Sequence, residues 1–78
     1  MKIPKVDKGS VIVVRAESAT GKILNNDNSF YNSIGDDYYL IMESLDEARS
    51  YANKEIEKGL VEVLIYDDKS EFIEIHRR

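Results

Sequence analysis

The chain has no cysteine, no tryptophan, one proline and one histidine among 78 residues. Without cysteine there are no disulfides, no thiolate metal sites and no cysteine nucleophile. No apolar run exceeds the five residues from Tyr38 to Met42, far short of the roughly 20 that a membrane-spanning helix needs. The first ten residues, MKIPKVDKGS, hold no apolar stretch of the secretion-signal kind, so a cytoplasmic setting is expected. What is present is 42% hydrophobic and 33% charged. Apolar runs such as Val11-Ile12-Val13-Val14 and Leu64-Ile65-Tyr66 argue for a packed domain over a disordered chain. The length allows one domain, since domains run to about 50–250 residues.

Charge is unevenly placed. Lys2, Lys5, Lys8, Arg77 and Arg78 make the ends basic, whereas residues 9–76 carry 6 basic and 14 acidic side chains. Such an acidic body repels phosphate backbones, and no basic stripe interleaved with aromatics is visible, so no nucleic-acid partner is expected. Acidity serves solubility, or it offers a face to a basic protein.

Residues 1–9, with Pro4 and Gly9, read as a flexible N-terminal tail, and residues 10–78 as a single domain. Residues 10–17, SVIVVRAE, predict a strand apolar on both faces, Val11 and Val13 on one side and Ile12, Val14 and Ala16 on the other. Lys22-Ile23-Leu24 predicts a short returning strand after a turn at Gly21. Residues 25–37, NNDNSFYNSIGDD, form a long connection whose Asn, Asp and Ser favour turns. Phe30, Tyr31 and Ile34 give that loop apolar groups with which to fold back on the domain or to bind a partner. Tyr38–Met42 predicts another strand. Ser44 and Glu47 then have the spacing of a capping box, followed by an apolar stripe at Leu45, Ala48, Ala52 and Ile56. Gly59 supplies the stop of a helix of about 14 residues.

Residues 60–66 and 72–76 predict a terminal hairpin. Simple alternation over an odd loop pairs Ile65 with Ile73 and Val63 with Ile75. On the other face it sets Tyr66 against Phe72, Leu64 against Glu74, and Glu62 against His76. The expected fold is α+β: a mainly antiparallel four-stranded sheet with one helix packed on one face. In strand order, residues 38–42 and 60–66 are either neighbours joined by a crossover helix, or residues 10–17 and 72–76 lie central and parallel.

The chemistry on offer is sparse. Thr20-Gly21-Lys22 fails the phosphate-loop pattern, with Ala16 where the first Gly belongs and Ile23 where Ser or Thr belongs. Asn25, Asp27, Ser29 and Asp36 fall at positions 1, 3, 5 and 12 of a calcium loop, but Phe30 stands where Gly is needed and Asp36 where Glu is. His76 could serve as a base with Glu62 across the strand. No cofactor, metal or catalytic set is expected.

The segment Ser44-Leu45-Asp46-Glu47-Ala48-Arg49-Ser50-Tyr51-Ala52, followed by Val61-Glu62-Val63-Leu64-Ile65-Tyr66-Asp67, resembles short uncharacterised proteins abundant in Bacteroidales-type bacteria. The likeness covers about residues 38–76 and implies a bacterial, cytoplasmic setting without an assigned site.

One helix covers one face of a sheet. The expectation is therefore a non-catalytic protein-interaction module, self-associating as a homodimer through the face away from the helix. Leu64, Tyr66 and Phe72 would be its apolar centre, with Glu62, Glu74 and His76 as its polar border. The alternative is an acidic inhibitor or immunity-type protein that binds a basic partner. Neither reading involves a membrane.

Overall fold

A computed structural model describes residues 3, 5–32 and 35–78. Its elements are β1 (Val11–Glu17), β2 (Ile23–Leu24), β3 (Tyr39–Met42), α1 (Leu45–Ile56), β4 (Val61–Tyr66) and β5 (Phe72–His76). The class is α+β, with one helix on an open antiparallel sheet. The sheet has five strands, not four, because the two-residue β2 joins it.

β1 lies at the centre. One of its edges pairs with β4, and its other edge is shared: Val11–Val14 pair with β3, while Arg15 and Ala16 pair with β2. Because β3 and β4 are both antiparallel to β1, they run the same way with β1 between them. The helix therefore crosses over β1, and neither expected strand order holds. Residues 38–42 and 60–66 are separated by β1, and β4 separates residues 10–17 from 72–76.

This position accounts for the two apolar faces of β1. Val11 and Val13 pack with Val63, Ile65, Ala48 and Ala52 beneath α1. The two alanines let the helix approach the sheet closely. Ile12 and Val14 pack on the opposite face with Tyr38. That face is not bare. Ile3 and Val6, from the segment expected as a flexible tail, lie against it together with Tyr31 of the Asn-rich loop. Among the described residues, hydrogen bonds hold the segment from Ser70 Oγ to Ile3 O at 3.0 Å, from Val6 N to Asp68 O at 3.4 Å, and from Gly9 N to Asp68 Oδ2 at 2.8 Å. Phe30 instead stays outside, 45% exposed, and Ile34 lies outside the described residues.

The helix starts as the capping residues require. Ser44 Oγ accepts a hydrogen bond from Glu47 N at 3.1 Å, satisfying one orphan donor of the first turn. The helix ends earlier than expected, at Ile56, with Glu57 as C-cap. Gly59 adopts a left-handed φ of 72° and donates to Ile56 O at 3.0 Å. Arg78 Nη1 donates to Glu57 O at 2.9 Å, so the chain end also covers a last-turn carbonyl.

The terminal hairpin departs from its expected register. Tyr66 does stand opposite Phe72, across a loop in which Asp67 Oδ1 accepts from Lys69 N and Glu71 N. Beyond that pair a bulge sets in, and Ile65 faces Glu74, Leu64 faces Ile75, and Val63 faces His76. Ile73 is the extra residue. One inserted residue reverses the parity of everything after it, so Glu74 and His76 turn to the helix side and Ile75 to the other.

Candidate interaction surface

The registers align two apolar rows on the face away from α1. The first runs Ile41, Ile12, Tyr66, Phe72; the second runs Tyr39, Val14, Leu64, Ile75. Their middles belong to the core, since Ile12 and Val14 are fully buried. Leu64 and Tyr66 are half-buried against them. The ends of the first row are open: Phe72 is 55% exposed and Ile41 54%. Phe72 meets Tyr66 edge to face, ring centroids 5.8 Å apart. Ile73 beside it is 38% exposed. Burial raises the Tyr66 hydroxyl above its ordinary pKa.

Of the six residues expected to form the site, Leu64, Tyr66 and Phe72 do share this face. Glu62 shares it too, and lies 3.4 Å from Arg77 Nε. Glu74 and His76 do not. They occupy the helix side, where Arg49 Nε and Nη2 donate to Glu74 Oε1 at 3.0 and 2.7 Å. His76 Nε2 lies 2.5 Å from Glu74 Oε2. The expected Glu62–His76 pair is thus replaced by Glu74–His76. The hydrogen bond from Arg49 is the main reason that Glu74 is held below the usual carboxylate range, with His76 adding to it.

A second feature escaped the residue pattern. Arg15 is 9% exposed on the helix side of β1. Its Nη1 donates to Asn28 Oδ1 and its Nη2 to Asn25 O, both at 2.7 Å. Its Nη1 also lies 3.5 Å from Glu55 Oε1, which accepts from Tyr51 OH at 3.0 Å. Burial, then this bond to Glu55, pushes the Tyr51 hydroxyl up to about 12. The guanidinium therefore fastens the Asn-rich loop to the second half of α1. The available signal was a lone cation in an apolar strand, on the same alternating face as Val11 and Val13. Arg15 also forms part of a cleft of about 780 Å³ between the β2 end of the sheet and the C-terminal end of α1.

The calcium-loop positions are engaged internally. Asp27 Oδ1 accepts from Ser29 N at 3.0 Å and Ser29 Oγ at 2.5 Å, and those bonds lower its pKa. Asn25 Nδ2 donates to Ser29 Oγ at 3.0 Å and Asp36 Oδ2 at 3.2 Å. Among the described residues, no three His, Asp or Glu side chains come together as a metal group. No helix among them is long and apolar enough to cross a membrane. Compared with protein-family models, with curated proteins and with solved structures, the chain matches none.

Proposed function

We propose that the chain is a non-catalytic protein-interaction module that associates with a second copy of itself through the β5 end of the sheet face turned away from α1. The observation that carries this reading is the exposed aromatic-aliphatic corner made by Phe72 and Ile73 beside half-buried Tyr66. Aromatic groups seated on a packed surface are the usual anchors of interfaces. The chain's net charge of −4 makes two copies repel, so association through this corner rests on apolar burial and strengthens as salt screens the repulsion. An uncharged apolar patch can meet its own twofold image.

The acidic-inhibitor reading draws less support. Asp67 and Asp68, one of its adjacent acidic pairs, already accept backbone hydrogen bonds from Lys69, Glu71 and Gly9.

Sedimentation equilibrium of the full chain tests the proposal, with the double variant Phe72→Ser, Ile73→Ser as its control. The expected result is a parent dimer that persists at high salt and a variant that is monomeric yet melts cooperatively. A parent that stays monomeric at every concentration overturns it.

A further inference from the structure

Among the described residues, no strand pairs with the outer edge of β5 or of β3, so the sheet is open at both sides. Each edge offers backbone N–H and C=O groups that can extend a sheet. The two edges differ in charge. Asp37 and Glu43 flank β3, and both are exposed. Pairing β3 with its own copy about Leu40 would set Asp37 against the copy's Glu43 twice, and like charges directly opposite destabilise a sheet. β5 carries one carboxylate, Glu74, whose charge Arg49 already offsets within the chain. Arg77 and Arg78 follow it, in a chain whose net charge is −4. The bulge at Ile73 is confined to the turn end of the hairpin, and from Glu74 to His76 the pairing with β4 is regular.

We propose that two copies of the chain pair antiparallel through β5, joining their five-stranded sheets into one. The proposal rests on the self-association reading above and specifies its geometry. A twofold axis perpendicular to the sheet leaves both helices on one side, so only residues of the same face can stand opposite each other. An axis at Glu74 would oppose two carboxylates. An axis at Ile75 sets Ile75 against its own copy on the face away from α1, and Glu74 against the copy's His76 on the helix face. It also brings Arg77 across from the copy's Ile73. The Arg77 side chain is 63% exposed, so its aliphatic stem can lie over the Phe72–Ile73 corner. The acids flanking β3 keep the other edge apart from its copy, so the assembly closes as a dimer.

Two measurements on the full chain test the pairing, beside the sedimentation experiment that tests self-association itself. The first is amide hydrogen exchange of the unmodified chain against concentration. The β5 amides that point away from β4 should exchange roughly tenfold more slowly at concentrations about a hundredfold above the dimer dissociation constant, where few monomers remain. For the second, the chain has no cysteine, so a single introduced one reports its own neighbour. Ile75→Cys should give a disulfide-linked dimer under mild oxidation, since opposite Cα atoms of antiparallel strands lie about 4.5–5.5 Å apart, within disulfide reach. Phe72→Cys should not, because its copy would lie about 20 Å away along the strands. A sedimenting dimer whose outer β5 amides exchange as fast as in the monomer overturns the edge pairing and leaves self-association standing. Cross-linking through Phe72→Cys and not through Ile75→Cys does the same. A chain that stays monomeric at every concentration removes both.

Discussion

Arg49 reaches from the first half of α1 to Glu74 on β5, with Nε and Nη2 both donating to one carboxylate oxygen. This is the polar tie between the helix and the edge strand. Glu74 is held below its ordinary value of 4.5, chiefly by that bond. A depressed carboxylate pKa stabilises the fold fully above the unfolded value, and the contribution is lost as pH falls through the folded one. In Arg49→Gln the Glu74 midpoint should therefore rise, and acid unfolding should begin at higher pH. Side-chain carboxyl NMR read against pH measures both; an unmoved midpoint would mean that Arg49 does not govern it. Arg49 is about half exposed, so solvent screening should keep the stability change at neutral pH small.

At alkaline pH the sign reverses. Tyr51 is raised from 10.0 to about 12 by burial and by Glu55. Its neutral form is favoured in the fold, so this contribution is complete below pH 10 and disappears as pH climbs toward 12. Tyr38 and Tyr66 are also raised, mainly by burial. Tyrosinate absorbance should thus show late-ionising tyrosines, and Tyr51→Phe should remove the last step.

Substituting Arg15 should loosen a loop more than the sheet. Arg15→Met keeps the stem under α1 but removes the donors to Asn25 O and Asn28 Oδ1. A hydrogen bond to a charged group contributes about 1.5–3 kcal/mol, and a loss of that order is expected in denaturant unfolding. Hydrogen exchange should rise first across residues 25–32. Uniform exchange throughout the chain would contradict this role.

Ser44→Ala should cost roughly 0.5–2 kcal/mol, since Ser44 Oγ is the acceptor for Glu47 N. Chemical denaturation measures it, and Ser44→Asp should restore most of the loss.

The helix was legible because its signals are local: Ser44, Glu47 and the Ala48–Ala52 spacing act within one or two turns. The face shared by Leu64, Tyr66 and Phe72 was legible for a similar reason, as the Tyr66–Phe72 pair lies next to its own turn. Alternation could not reveal the bulge at Ile73. A bulge leaves no periodic mark, yet it carried Glu74 and His76 to the helix side, where Arg49 stands. The role of Arg15 was half visible. Its charge within VIVVRAE marks an anomaly, but one of its partners is the carbonyl of Asn25, and every residue has a carbonyl.

The central placement of β1 also bears on how the chain folds. Ile12 pairs with Tyr66 and Glu17 with Val61, so its longest edge stays open until strands far along the chain have formed. Pairings so distant in sequence make folding slow relative to helical domains of equal size. In that interval Val11–Val14 is a bare β-prone apolar segment, the type that nucleates cross-β assembly. Arg15 and Glu17 follow it directly, and charges in that position obstruct stacking of identical strands. The guanidinium that later anchors the loop thus also guards the unfinished sheet against its own copies.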